Sequence, residues 1–149
     1  YIHKYAFEKT KSLYPFGHGL SYTTFSISDP KLSKSKWNGK GSLQVETVVT
    51  NTGNMAGAET IQLYIRDKFS SVTRPVLELK AYNKITLQPG ESKIVSFSLT
   101  AESFAYYNID MEYLAENGDF IIYTGSSSAF KNLKKASINL TQNIYFNEE

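Results

Sequence analysis

Two carboxylates, Asp110 and Glu112, come closest among the residues of this 149-residue chain to a catalytic arrangement. Residues two apart on a strand lie on the same face, so the pair could in principle act as a general acid and a general base. The preceding Asn108, however, is typical of a turn, and nothing nearby in the sequence favours a catalytic environment. We therefore interpret the pair as a solvated turn or strand edge, and we predict no catalytic residue in the chain.

Histidine and cysteine, the other common catalytic and metal-binding residues, are scarce. The chain has two histidines, His3 and His18, and no cysteine. The histidines show no spacing with carboxylates that is typical of a metal site, and the lack of cysteine excludes disulfides, thiolate ligands and a thiol nucleophile. Glycine-rich phosphate loops and nucleophile elbows are also absent. We predict no metal and no cofactor.

Trp37, the single tryptophan, lies among four lysines. A basic cluster around an aromatic ring can bind single-stranded nucleic acid, and an exposed tryptophan can stack on a sugar ring. The net charge is only +2, however, and lysines in a loop usually form a solvated face. We predict no nucleic-acid partner and keep sugar stacking on Trp37 as the alternative. The four lysines are Lys31, Lys34, Lys36 and Lys40.

The elements that must position these residues are predicted to be β-strands. Aromatic residues make up 14% of the chain, and apolar and polar residues alternate repeatedly, as in half-buried strands. No apolar run reaches the ~20 residues of a membrane span, so we expect no membrane partner. About seven to eight short strands in a chain of one-domain length predict an all-β, two-sheet antiparallel β-sandwich. The absence of the cysteine pair of immunoglobulin domains favours a fibronectin type III-like form.

Individual strands and turns follow from the same alternation. Phe120–Thr124 is apolar at both parities, which predicts a central strand buried on both faces. Gly90 after a proline predicts a type II turn, Gly118 after an asparagine predicts a hairpin, and the break at Asn83 predicts a β-bulge or a strand switch. The expected strands are Leu20–Ile27, Leu43–Thr50, Ile61–Ile65, Leu77–Leu87, Val95–Leu99, Met111–Ala115, Phe120–Thr124 and Ala136–Leu140.

Five motifs, spread over most of residues 12–128, resemble one known family in the order in which that family carries them. The first, Ser12–Phe25, reads SLYPFGHGLSYTTF and closely resembles the start of the C-terminal domain of glycoside hydrolase family three, the β-glucosidase and β-xylosidase family. One such motif would be a weak signal, whereas five in the right order are a strong one. The others are Val49–Gly53 with Ala58–Tyr64, Ser71–Pro75 with Glu78 and Leu79, Leu87–Glu91 with Val95, Phe97 and Leu99, and Gly118–Phe120 through Gly125–Ser127.

The resemblance implies that this domain is not the catalytic one. In the family an aspartate nucleophile lies in an N-terminal barrel and the general acid/base also lies upstream, and neither maps onto a residue here. The implied role is a non-catalytic accessory domain of a retaining hydrolase that releases terminal β-linked sugars. The chain alone is expected to be inactive. Its implied partners are the catalytic domains of the same polypeptide and, as a further candidate, a second subunit. The family's substrates imply a secreted or periplasmic protein.

The resemblance also implies where the domain docks. Residues 1–19 are expected to form a lead-in that docks on an upstream domain, and residues 20–149 are expected to form the sandwich. The glycines on either side of His18 permit a tight bend, so we expect His18 to form a hydrogen bond across the domain junction. The predicted docking residues are Tyr14, Pro15, Phe16, Gly17, His18 and Gly19.

Other aromatic residues and one loop complete the predicted surface. Tyr22 and Phe25 are expected in the core, and the loop Phe69–Pro75 is expected to reach a neighbouring domain or subunit. The predicted interface residues in this loop are Ser71, Thr73, Arg74 and Pro75. Two alternatives remain: a free-standing carbohydrate- or partner-binding sandwich that uses Trp37, and a free-standing structural protein.

Overall fold

The computed structural model describes residues 13–146, so that His3 and the first twelve residues of the expected lead-in lie outside the described residues. The first six strands of the described range are β1 (Phe25–Ile27), β2 (Lys31–Leu32), β3 (Lys36–Trp37), β4 (Leu43–Asn51), β5 (Gly57–Asp67) and β6 (Glu78–Leu87). The next six are β7 (Ser92–Leu99), β8 (Tyr106–Tyr107), β9 (Tyr113–Ala115), β10 (Gly118–Gly125), β11 (Lys134–Leu140) and β12 (Ile144–Tyr145). Short 3-10 helices span Ala101–Phe104 and Phe130–Asn132.

Sheet A is built around β4. The short strands β1 and β2 pair with β4, and β7 pairs with it antiparallel from Leu43 opposite Leu99 to Thr50 opposite Ser92. Buried and exposed residues alternate strictly along β4 from Leu43 to Val49. The half-buried strand predicted over Leu43–Thr50 is therefore confirmed.

Sheet B has the strand order β3-β11-β10-β5-β6. Its pairs are antiparallel except for β3 and β11, which are parallel. The strand predicted to be central and apolar, β10, does lie in the middle, and Phe120, Ile122, Tyr123 and Thr124 on it are buried. Since these residues point to both faces of the sheet, the prediction that this strand is buried on both faces is confirmed.

The hydrophobic core lies between the inner faces of sheets A and B. Aliphatic side chains from both sheets form one cluster, and a ring network runs from Trp37 through Phe104 to Phe120 at centroid distances of 5.7 and 5.0 Å. Burial of this apolar surface is the main stabilising contribution to such a fold. The predicted all-β sandwich is confirmed. The sheet A members of the cluster are Leu43, Val45, Val49, Val95, Phe97 and Leu99, and sheet B contributes Ile61, Leu63, Ile65, Leu87, Phe120, Ile122, Ile138 and Leu140.

A small third sheet, with the order β12-β9-β8, packs against this core through Tyr113 and Ile144. The hairpin predicted at Gly118 is wrong, because this third sheet takes the strand that precedes the turn. The strands on either side of that turn belong to different sheets, because β9 pairs with β8 and β12 whereas β10 pairs with β5 and β11. The backbone N–H of Asn117 donates to the side-chain oxygen of Asn143 instead of bonding across a hairpin.

The alternative in which an exposed Trp37 stacks on a sugar ring is wrong. Its side chain is only 2% exposed, and its indole N–H donates to the Lys40 carbonyl at 2.9 Å. The lysine-rich segment around Trp37, interpreted from the sequence as a loop with a solvated face, contains β2 and β3, and the parallel pairing of β3 with β11 turns the indole into the core. A ring without an exposed face has no surface on which a sugar could stack.

Two expectations about Tyr22 and Asn83 are also corrected. The first strand begins at Phe25, not at Leu20, and Tyr22 is 95% exposed while Phe25 packs against the core. The bulge lies opposite Leu63 and Tyr64, between Leu79 and Ala81, and not at Asn83. The type II turn is confirmed, since Gly90 has φ +75° and Glu91 N–H donates to the Gln88 carbonyl.

Candidate docking surface

The described part of the lead-in lies across the outer face of sheet B, the face directed away from sheet A. Two backbone carbonyls hold it there. Gln62 on β5 donates from its side-chain amide to the Gly17 carbonyl at 3.2 Å, and the Ser128 N–H donates to the Phe16 carbonyl at 2.9 Å. The Tyr64 hydroxyl in turn donates to the Gln62 side-chain oxygen. These contacts bury Gln62 and Tyr64, so the middle of β5 is buried on both faces.

Gly17 is required at the point where the lead-in meets β5. Its φ of +73° is in the left-handed region, and a Cβ there would lie 2.2 Å from the Gln62 side-chain oxygen. The His18 N–H donates to the Pro15 carbonyl at 3.1 Å, which closes the bend around this glycine. The tight bend predicted from the glycines is present, and Gly17 makes the close approach, whereas a Cβ on Gly19 would meet no atom within 4 Å.

The side chains of this pinned segment point outward. Tyr14 and Phe16 are 65% and 66% exposed, and Leu20 is 94% exposed. The Tyr14 ring stacks on the His18 imidazole at a centroid distance of 5.2 Å. A fixed backbone that presents aromatic and aliphatic side chains to solvent is unusual in a monomer and is typical of an interaction site.

A shallow apolar groove borders Phe16. The bulge between β5 and β6 places Leu79 opposite Tyr64, so Leu79 lies on the outer face of sheet B and not in the core. The groove has a volume of about 430 Å³, and the Phe130 ring stands edge-on to the buried Tyr123 ring. The groove is lined by Phe16, Tyr64, Val76, Leu77, Leu79, Ser128 and Phe130.

A more polar cleft of about 370 Å³ lies on the other side of Gly17. Thr60 and Lys84, which are opposite each other in the register of β5 and β6, contribute to its lining, and Glu59 does too. Burial raises the pKa of Glu59, although the Thr60 N–H that donates to its carboxylate at 2.9 Å opposes this. The cleft is lined by residues 17–21, Ala58, Glu59, Thr60, Lys84, Ser126, Ser127 and Asn132.

The predicted interface loop is fixed at Arg74, whose side chain is only 6% exposed. Its guanidinium donates to Asp67 at 3.2 Å and to the Phe104 carbonyl at 3.3 Å, forms an ion pair with Glu78 at 2.8 Å, and lies 4.3 Å from the Tyr106 ring centroid. Burial raises the pKa of Asp67 even though Arg74 and the Phe69 N–H lower it. Arg74 therefore holds the loop from inside.

Ser71 fixes the other part of the loop. Its hydroxyl donates to Glu116 at 2.6 Å and lies 3.0 Å from the Tyr106 hydroxyl. Burial raises the pKa of Glu116, but the hydrogen bonds from Ser71 and Tyr106 outweigh this, so the pKa lies below its usual value. Thr73 is exposed between these two anchors, Pro75 is exposed directly after Arg74, and Phe69 is exposed at the start of the loop.

Sequence reasoning missed the residues that anchor these segments: Gln62, Tyr64, Glu116 and the inward-facing Arg74. Gln62 and Tyr64 occupy the polar parity of an alternating strand, which predicts exposure. The one available signal was the unusual polar-aromatic pair on that parity. Nothing in the sequence links Ser71 to Glu116, because the contact joins residues 45 positions apart.

Asp110 and Glu112 lie in an exposed turn, as predicted. The Asn108 side-chain oxygen accepts the N–H groups of both residues, and Glu112 accepts from the Asn108 amide at 2.9 Å. Within residues 13–146, no three acidic or histidine side chains are placed to hold a metal ion. No helix in that same range is long and apolar enough to cross a bilayer.

Comparison with known proteins shows that the chain is similar to part of several longer proteins. The family model "Fibronectin type III-like domain" matches residues 59–128. The chain is 46% identical over 129 residues to the periplasmic β-glucosidase of Salmonella typhimurium, covering 87% of the chain and 17% of that protein. It is 47% identical over 117 residues to thermostable β-glucosidase B of Acetivibrio thermocellus, covering 78% of the chain and 16% of that protein.

Solved structures give the same picture. The structure of a β-glucosidase from Listeria innocua in complex with glucose superposes with a TM-score of 0.84 at 37% identity, over 95% of this chain and 19% of that one. β-Glucosidase 3B from Thermotoga neapolitana superposes with a TM-score of 0.83 at 35% identity, over 93% of this chain and 19% of that one. The chain thus spans less than a fifth of the length of these relatives.

Proposed function

Because the chain is a fibronectin type III-like domain that matches the C-terminal region of family three β-glucosidases and β-xylosidases, we propose that it is a non-catalytic accessory domain that docks on the catalytic domains of such an enzyme. Its role is structural: a rigid sandwich covers apolar surface on its neighbour and is stabilised by it. The parent polypeptide would be a retaining hydrolase of terminal β-linked sugars, with its catalytic carboxylates outside this chain.

This proposal rests on one observation: the lead-in is hydrogen-bonded to the domain through its backbone, while its aromatic side chains are exposed. Its backbone is bound to sheet B and to Ser128 through the Gly17 and Phe16 carbonyls, so contacts within the chain hold the segment in place. Its Tyr14 and Phe16 side chains remain exposed, so the apolar surface they offer is available for a second body. A preordered backbone lowers the conformational entropy lost on docking, which favours a permanent interface.

The loop that contains Ser71 and Arg74 is the second contact in this proposal. Since Arg74 and Ser71 bind within the domain, the neighbouring domain or subunit would meet Thr73 and Pro75 together with Phe69. Arg74 is then a residue that positions the loop. A secreted or periplasmic location is proposed because one relative is named a periplasmic β-glucosidase.

Hydrolysis of an aryl β-glucoside by the polypeptide that contains this chain tests the proposal. We expect the isolated chain to be inactive and the longer polypeptide to be active. The double variant Tyr14→Ser/Phe16→Ser should shorten the half-life of that activity at elevated temperature. The matched control is Val48→Ser/Ile94→Ser on the outer face of sheet A, which should leave the half-life unchanged. Activity of the isolated chain, or equal half-lives for the two double variants, would contradict the proposal.

A further inference from the structure

We propose that the polar cleft beside Gly17 receives a carboxylate side chain from the docked domain, with Lys84 as its counter-charge. This inference rests on the proposed docking function and adds the chemistry of the partner. The cleft shares residues 17–21 with the segment that presents the exposed apolar side chains. A domain seated on Phe16 and Leu20 would therefore also cover the cleft.

Lys84 is the one lysine among the residues that line the cleft. It lies on the edge strand β6, opposite Thr60, and lines the cleft. Within the described residues it forms no ion pair, whereas Lys80 on the same strand binds Glu78 at 2.9 Å. An unpaired ammonium that becomes covered at an interface is costly unless an anion meets it.

The remaining polar groups of the cleft favour an acceptor. The side chains of His18, Thr60 and Asn132 form no hydrogen bond with the described part of the chain, and each can donate one. A carboxylate is the protein side chain that only accepts hydrogen bonds, and its two oxygens can serve several donors. This set of free donors therefore matches an aspartate or a glutamate better than an amide or a hydroxyl group.

Glu59, the one carboxylate of the cleft, is already engaged. It accepts the Thr60 N–H and lies more than 4.0 Å from Lys84, since the two form no ion pair. It is half-buried, and burial raises its pKa. The positive charge of Lys84 thus remains to be matched by the partner.

Reductive methylation of lysines tests the inference, carried out on the isolated chain and on the longer polypeptide that contains it. We expect Lys84 to react about tenfold more slowly in the longer polypeptide, where an ion pair covers it. Lys93 on sheet A is the control and should react at the same rate in both. Equal rates for Lys84 would overturn the inference.

Charge variants separate pairing from simple coverage. In the longer polypeptide, Lys84→Met should shorten the half-life of activity at elevated temperature in low salt, and Lys84→Arg, which keeps the charge, should restore most of it. Lys84→Met without effect would overturn the inference, as would an equal effect of Lys84→Arg. If Lys84→Met has no effect but Tyr14→Ser/Phe16→Ser still shortens the half-life, the docking proposal is supported and only the carboxylate partner of Lys84 is wrong. If neither has an effect, the docking proposal itself fails.

Discussion

The outer faces of the two sheets differ sharply. On sheet A, serine, threonine and glutamine side chains bond to one another across strands, as Thr50 does with Ser92 at 2.7 Å and Gln44 with Ser98 at 3.0 Å. Val48 and Ile94, which are opposite each other in β4 and β7, are the exposed large apolar residues among the described positions of those strands. Such a face is satisfied by water and needs no cover.

Sheet B buries polar and aromatic residues on its outer face. Gln62 and Tyr64 lie under the lead-in, and the lead-in presents Phe16 to solvent in their place. Over the middle of β5, the exposed apolar side chains on this side of the sandwich therefore belong to the lead-in and not to β5. Within residues 13–146, the outer face of sheet B is the one that the lead-in covers, and this contrast with sheet A supports the docking proposal.

The largest expected effect comes from removing the buried Tyr64 ring, which lies on β5 beneath the lead-in. Tyr64→Ala deletes a side chain that is 2% exposed and removes the hydroxyl that donates to Gln62. We expect the free energy of unfolding to fall by about 3–5 kcal/mol, as for other buried aromatic residues. Val48→Ala on the outer face of sheet A should change it by less than about 0.5 kcal/mol. Urea unfolding of both variants measures the difference, and similar losses would refute the contrast between the faces.

Gly17→Ala is the next largest change. The added Cβ would collide with the Gln62 side chain, and the alanine backbone would have to adopt a φ of +73°. We expect a loss of about 2–3 kcal/mol in the free energy of unfolding, from about 1–2 for the φ and the rest from displaced packing. Gly41→Ala is the matched control, since Gly41 has φ +69° and open space around its Cβ position. Equal losses in urea unfolding would mean that the lead-in does not lie against Gln62.

Exposed residues of the lead-in should behave in the opposite way. Tyr14→Ser/Phe16→Ser removes apolar surface that is already in water in the isolated chain. We expect the free energy of unfolding to change by less than about 1 kcal/mol and the solubility to rise. Solubility in ammonium sulfate measures the gain. A strong loss of stability would show that these side chains pack within the domain.

The smallest expected effect is a pH dependence at the loop. The pKa of Glu116 in the folded chain lies below its ordinary value of 4.5, so the ionised carboxylate stabilises the fold above that pH. This contribution is lost as the pH falls through the folded pKa. Glu116→Gln should therefore lose less stability than the parent chain between neutral pH and about pH 3. Thermal unfolding at several pH values checks this, and parallel curves would contradict it.

Local alternation was enough to predict much of the fold. The strands β4 and β10 and the turn at Gly90 were predicted because their signals lie within a few neighbouring residues. Trp37 was misassigned because its burial depends on the pairing of Lys36 with Asn139, more than 100 residues away, and on no local pattern. Its lysine neighbours are exposed, so composition pointed to a solvated loop.

The surface was predicted less completely for a related reason. The aromatic side chains of the lead-in were identified, but Tyr22 was assigned to the core because aromatic residues are usually buried. The anchors of the loop depend on the third sheet, because Tyr106 lies on β8 and Glu116 directly follows β9, and both contact Ser71. Such contacts arise from the tertiary fold and carry no local signal.

Hydroxyl-radical footprinting tests the central claim most directly, that the outer face of sheet B is the covered one. The isolated chain and the longer polypeptide that contains it would be oxidised side by side and compared residue by residue. We predict that Tyr14 and Phe16 are strongly protected in the longer polypeptide, while Ile94 on sheet A is oxidised equally in both. Equal oxidation of Tyr14 and Phe16 in the two samples, or protection of Ile94 instead, would contradict the account.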